Sequence, residues 1–273
     1  MDWVDQVTSG ETVITLVAHT RGWRFRLPFP ASDDELRAAA PDADDQARVV
    51  IEFGSCHVRH GDVSMVIDAG RLTASHRANH GGAEFTAGVE AGMTSVGIQP
   101  ADVTHVLITH AHPDHFTGIA PDDDGGALVY PNARHLVSRR DWEGAGPGND
   151  LLRRLAAPAN AAGLLDLVEG DIEIAPGLTI LKAPGETPGH LCLRAESAGK
   201  NFFWLGDLVH HRLELDHLDW VLAGGDAAAM EASRRRILGM AAGSNALVLW
   251  AHATFPGWAR VRRQGDSFLW SAA

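Results

Sequence analysis

The chain has 273 residues, 45% of them hydrophobic, with no low-complexity tract and no fixed-period repeat, which suits an ordinary soluble globular protein able to bury a sizeable core. Its formal net charge of −12 would repel a polyanion at long range, so nucleic acid is not the expected substrate. The first apolar run, Val13 to Ala18, is too short for a signal peptide or a membrane span, and Cys56 and Cys192 form no CxxC, so a cytoplasmic protein with two buried thiols is expected.

In chain order, Val13–Val17, Val49–Phe53 and Val63–Asp68 read as opening strands. Between them, from Arg21 to Asp45, Trp23, Phe25, Leu27 and Phe29 alternate with polar residues and prolines, and Asp33–Ala40 has helical character. This segment, about 20–48, reads as an edge hairpin over the core, an arm over a site mouth, or a homodimer contact. Arg71–Gly82 reads as a loop near the mouth, with Arg77 and His80 as candidate substrate contacts. Phe85–Val96 is a helix candidate closed by Gly97 and Pro100.

Val103–Thr109 is the next strand, and it runs into the densest chemistry in the chain: Thr109-His-Ala-His-Pro-Asp-His-Phe-Thr-Gly118. A strand feeding a polar turn delivers His110, His112, Asp114 and His115 to one cleft. Imidazole suits zinc, copper, nickel and iron, and the carboxylate adds a hard oxygen. Ala133–Ser138, Leu178–Ala183, Leu191–Ala195, Phe202–Leu205 and Ala246–Ala251 supply further strands, with helices at about Asp150–Ala162 and Ala227–Ala242. His190, Asp207 and His252 each lie where an apolar run gives way to a polar loop. The interleaving suggests two sheets packed face to face with helices outside, and no stretch has a linker's composition, so one domain spanning 1–273 is expected. The run Arg234-Arg-Arg236 reads as a solvated helix face.

From about residue 49 onward the pattern resembles the metallo-β-lactamase superfamily, carried by Val66-Ile-Asp-Ala-Gly70, His110-Ala-His-Pro-Asp-His115, His190, Asp207 and His252. The resemblance implies an α/β, four-layer αβ/βα sandwich. It implies that one metal takes His110, His112 and His190, that a second takes Asp114, His115 and His252, and that Asp207 bridges them. The family's loop usually reads Gly-His-Thr-Pro-Gly-His; here Glu186 replaces the first His, which is not one of the family's ligands. Tyr130–Trp142, Gly206-Asp-Leu-Val-His-His211, Ala251–Trp258 and Gly265–Trp270 look like the methyl parathion hydrolase and quorum-quenching lactonase branch, in which a short strand pair ends the chain.

The resemblance and the ligand pattern together imply a metal-dependent hydrolase with two divalent ions, zinc first and iron or manganese as alternatives. Its activated water would attack a small, largely apolar ester, lactone or organophosphate. Asp207 and Asp114 are the expected catalytic carboxylates. Asp68, at a strand end, is placed to accept a hydrogen bond from a ligand imidazole. His210 and His211, directly after Asp207, are candidates for the periphery of the centre, while His105 reads as a core residue. Leu213, Leu215, Leu218 and Trp220 are candidates for one pocket wall with Phe116 opposite, or for sealing the sandwich edge; Arg212 offers a carboxylate partner instead. The rival class is a mononuclear iron oxygenase or other redox enzyme on the same fold, which metal stoichiometry would separate from a hydrolase.

Overall fold

A computed structural model describes residues 3–71, 83–86 and 88–273. Arg77 and His80 lie outside the described residues. Two seven-stranded sheets dominate. The first runs, in spatial order, Val4–Ser9, Thr12–Ala18, Gly54–His60, Val63–Ile67, His105–Leu107, Arg134–Ser138 and Leu165–Val168. Its first four strands are antiparallel neighbours, and pairing is parallel from Val63–Ile67 onward. The second runs Ile172–Ala175, Leu178–Lys182, Leu191–Ser197, Lys200–Trp204, Leu247–Leu249, Ala259–Gln264 and Ser267–Ala272.

Strand periodicity decides which side chains meet between the sheets. Met65 and Ile67 of the first sheet and Phe202 and Trp204 of the second join one buried cluster at the interface. Their neighbour Val66 points outward onto Met93, Leu152 and Leu155 of flanking helices. Phe203 likewise points outward, onto Met230, Ile237 and Leu238 of the long helix Ala227–Gly243. Helix, sheet, sheet, helix is therefore the layer order, as the resemblance implied.

Local departures have local causes. Only Val49–Val50 of the expected Val49–Phe53 strand pairs, with Arg24–Phe25, and the long strand is Gly54–His60. That strand lacks a polar/apolar alternation because both its faces are covered: Cys56 and Val58 enter the inter-sheet core, while buried Ser55 and His57 bond polar groups of the adjacent loop and strand. The helix expected from Phe85 begins at Val89, since Glu84–Phe85 pairs with Thr20–Arg21. Pro158 helps divide the expected Asp150–Ala162 helix into Pro147–Leu155 and Ala157–Ala161.

The segment after Arg21 is an arm. Its helix Asp33–Ala39 opens with a capping box between Ser32 and Glu35, and Leu27, Phe29, Leu36 and Ile51 form a small core with Leu213. Phe25 is left 39% exposed. The reading of Arg234–Arg236 as a solvated stripe fails at Arg234, which is fully buried. Its guanidinium pairs with the equally buried Glu214 and donates to the carbonyls of Leu208, Leu218 and Trp220. Cys56 and Cys192 are buried free thiols. Among the described residues no helix is long and apolar enough to cross a membrane.

Candidate metal centre

Strand ends converge on one point. Val63–Ile67 hands the chain to Asp68, whose backbone takes φ +56°, a left-handed conformation rarely adopted by non-glycine residues. That turn aims its carboxylate back into the molecule: Oδ1 accepts from the backbone N–H and the hydroxyl of Thr109, and Oδ2 accepts from Trp204 Nε1 at 3.0 Å. Oδ2 also stands 3.1 Å from His115 Nδ1, leaving His115 Nε2 to face the centre. The two loops touch backbone to backbone. A Cβ on Gly70 would overlap the carbonyl of Asp114, and one on Gly118 would come within 2.4 Å of the carbonyl of Ala69.

The centre is built around Asp207, which follows Lys200–Trp204 on a turn that Gly206 opens at φ +56°. Asp207 Oδ2 lies 3.2 Å from both His115 Nε2 and His252 Nε2 and 3.6 Å from His110 Nε2. Asp114 Oδ2 lies 3.4 Å from His115 Nε2 and 3.7 Å from His252 Nε2. His252 is oriented from behind: Nδ1 donates to the carbonyl of Glu52 at 2.8 Å, and Nε2 is left to face Asp207 Oδ2 in the centre.

Two groups of metal-capable atoms result, each with all its atoms within 4.8 Å of one another. One is His110, His112, Glu186 and Asp207; the other is Asp114, His115 and His252. His190 adjoins the first, its ring 5.1 Å from that of His110, but its Nε2 accepts the backbone N–H of Asp207 at 3.0 Å. Glu186 stands in the four-residue group where the resemblance expected that third imidazole.

The electrostatics suit cations. Burial, then the neighbouring imidazoles of His115 and His112, hold His110 well below the ordinary histidine value. Burial would push Asp207 up, but His115, His252 and His210 outweigh it and keep the carboxyl well below its usual range. Burial would push His115 down, and Asp207, Asp114 and Asp68 outweigh it and hold that imidazole well above the ordinary value. Carboxylates this dense draw positive charge into the centre, and the same field favours divalent cations. The donor atoms themselves point the same way. His110 Nε2, Asp207 Oδ1 and Glu186 Oε2 are buried without a hydrogen-bond partner, a state that costs about 1–3 kcal/mol per group unless something else satisfies it. A metal ion held among them would supply the missing partner.

Around this centre lie residues that the sequence did not single out. Asp141 accepts from the backbone N–H of Ala111 at 3.0 Å, the Thr187 hydroxyl at 2.8 Å and the backbone N–H of Gly189 at 2.9 Å, tying the two histidine-bearing loops together. Glu214 accepts the backbone N–H groups of His210 and His211 and faces His210 Nδ1 at 3.4 Å. His210 Nε2 in turn stands 3.3 Å from Asp207 Oδ2, and its ring stacks over His252. His211 turns outward to Asp42 of the arm.

A cavity of about 210 Å³ opens beside His210 and His252, with Trp250, Trp270, Arg212 and Ala253 among its lining residues. The residues expected to form a wall sit elsewhere. Phe116 is fully buried under the first sheet's helices, Leu215 and Leu218 pack in the second sheet's outer cluster, and Leu213 and Trp220 back the arm. His105 is half-buried and meets the Thr104 hydroxyl at 2.8 Å.

Comparison with known proteins agrees with this architecture. The sequence profile described as the Metallo-beta-lactamase superfamily matches residues 53–252. An N-acyl homoserine lactonase of a Bacillus species is 31% identical over 105 residues, 38% of this chain and 38% of that protein. One from Bacillus cereus is 25% identical over 160 residues, 59% of this chain and 60% of that protein. The matched stretches thus span 38% and 60% of the two lactonases' own lengths. The solved structure of AidC, a dizinc quorum-quenching lactonase in complex with its product, superposes with a TM-score of 0.82 at 19% identity, covering 100% of this chain and 99% of that one. The hydrolase AbOPH also gives 0.82, at 20% identity, covering 100% and 98%. At those identities the solved structures speak for the fold alone, while the profile spans most of the sandwich and all the strand-end donors: the chain belongs to the metallo-β-lactamase superfamily.

Proposed function

We propose that this protein is a dinuclear metal-dependent hydrolase that opens a small lactone carrying an apolar acyl group. The observation that carries the reading is the convergence of two metal-capable groups on Asp207, next to a cavity walled in part by Trp250 and Trp270. His110 and His112 with His190 beside them would hold one ion, Asp114, His115 and His252 the other, and Asp207 would bridge. Two such ions supply Lewis acidity and a water acidic enough to attack near neutral pH.

The chain's own residues do the rest. Asp207, whose Oδ2 lies among His110, His115 and His252, is placed to orient the attacking water and receive its proton, and Asp114 Oδ2 lies beside His115 and His252. The Glu52 carbonyl fixes the orientation of His252, and the Asp68 carboxylate stands 3.1 Å behind His115. The new bond joins the water oxygen to the lactone carbonyl carbon, the ring C–O bond breaks, the ring oxygen takes one proton to become the hydroxyl, and the carboxylic acid formed ionises to release the other. The apolar indoles suit an acyl chain. Similarity to N-acyl homoserine lactonases supports that substrate class over a phosphotriester.

The test is proton release from N-hexanoyl homoserine lactone by protein loaded with two metals, run beside an aryl phosphotriester. We expect ring opening with kcat/KM on the order of 10⁴ M⁻¹s⁻¹ or better. Two-metal protein that hydrolyses no lactone, ester or phosphotriester would sink the reading, and a single iron per chain would favour the redox alternative. We further read residues 1–273 as one domain acting on a small molecule rather than nucleic acid, in keeping with the charge of −12. The free, buried thiols support a reducing, cytoplasmic setting. Homodimerisation through the Trp23–Phe29 face, which the resemblance also favours, would use Phe25 and the half-buried Trp23, since Leu27 and Phe29 are covered by the arm itself; mass in solution decides it.

A further inference from the structure

We propose that Glu186 is a metal ligand, giving the ion held by His110 and His112 a second carboxylate and biasing that position toward harder divalent ions than zinc. The inference rests on the dinuclear reading above and adds to it a residue and a preference.

The loop that carries Glu186 is clamped on both sides. Gly185, at φ +150°, lies so close to Met230 that a Cβ there would come within 2.5 Å of the Met230 Cα, and its carbonyl accepts the backbone N–H of Asp226 at 2.8 Å. On the other side, the Thr187 hydroxyl and the Gly189 N–H are both held by Asp141. Glu186 therefore has little freedom to swing out. Its side chain is 8% exposed, with Oε1 3.5 Å from His112 Nδ1 and 3.8 Å from His210 Nε2. Oε2 is buried with no hydrogen-bond partner.

A carboxylate oxygen buried without a partner is costly unless a cation meets it. Among the described residues only the imidazoles of His112 and His210 stand within ion-pair reach of Glu186, both at Oε1, and one of its oxygens lies within 4.8 Å of the donor atoms of His110, His112 and Asp207. With His190 adjoining this group, Glu186 adds a second carboxylate, beside Asp207, to its imidazoles. Oxygen donors suit manganese and similar hard ions better than an all-imidazole face does.

The experiment compares wild type, Glu186→Gln and Glu186→His, each checked for native circular dichroism. Cobalt is titrated in against a chelator while its visible absorption is followed, and metal content is then measured after dialysis against equimolar manganese and zinc. We expect two ions per wild-type chain. In Glu186→Gln one ion should bind about tenfold or more weakly with an altered cobalt spectrum, the other unchanged. Glu186→His should bind both, with the bound manganese-to-zinc ratio lower than in wild type. Unchanged affinities and spectrum in Glu186→Gln would overturn the ligand role, and an unchanged ratio in Glu186→His would overturn the preference. Fewer than two ions in wild type would instead overturn the dinuclear reading, and the ligand role with it.

Discussion

Asp42 and Arg212, 170 positions apart in the chain, form a hydrogen-bonded ion pair at 2.7 Å. The other carboxylate oxygen of Asp42 faces His211 Nε2 at 3.3 Å, and the two contacts hold the carboxyl well below its usual range, with His211 outweighing burial as the first cause. The arm is thus pinned to the loop that follows Asp207, and Asp42 itself lines the cavity beside the centre.

Replacing Asp42 by Ala should loosen that pin. Because both partners are 40% exposed, the stability cost should stay near about 1 kcal/mol or below. KM for a long-chain lactone should rise several-fold while kcat changes little. A collapse of kcat with normal KM would show that the arm does more than shape the cavity.

Replacing Asp207 by Ala removes a carboxylate that belongs to one group and stands 3.2 Å from His115 and His252 of the other. Activity should fall by more than about a hundredfold, beyond what peripheral changes around a metal cost, and at least one ion should be lost on dialysis. Full activity in this variant would rule out the bridging role. Metal analysis beside a progress curve settles it.

Asp141→Ala tests the tie between the histidine loops. Ala111 N–H, Gly189 N–H and the Thr187 hydroxyl all lose their acceptor in a buried place. The expected cost is on the order of 3 kcal/mol or more in urea unfolding, with weaker metal retention. Asp141→Asn keeps one acceptor oxygen and should lie between.

Acid should destabilise the fold through histidines remote from the proposed ligands. Burial holds His57 and His135 down to about 4, against an ordinary 6.5. Between those values the unfolded chain takes up protons that the folded chain refuses, so stability falls as pH drops from 6.5 toward 4. Urea midpoints of metal-free protein measured near neutral pH and near pH ~5 should differ in that direction. The pair of changes His57→Gln and His135→Gln should flatten the difference; an unaltered slope would assign it elsewhere.

Legibility tracked periodicity. Val63–Asp68, Val103–Thr109 and Ala246–Ala251 alternate or run apolar and then break to polar residues, so the places where strands deliver side chains could be read from one sequence. Asp141 could not, because Arg139-Arg-Asp looks like a charged surface turn until the loop carrying Gly189 folds onto it. Arg234 sat inside a basic triplet on a helix, and only the return of the chain at Glu214 shows which of the three faces inward. Glu186 read as a tolerated departure from a family pattern; what matters is the distance of its oxygens from His112, which no spacing encodes. Gly54–His60 was hidden by polar side chains on a strand buried on both faces.

Gly70 and Gly118 let the backbones of two loops meet with no side chain between them. A contact made this way is set by main-chain packing, so the fold itself holds the loop of Asp114 and His115 against the loop of Asp68. Metal uptake would then cost that loop little conformational entropy, and ions of different kinds could exchange without its refolding between them. Which ion the protein carries in a given cell would accordingly depend on supply and donor chemistry, not on the folding pathway.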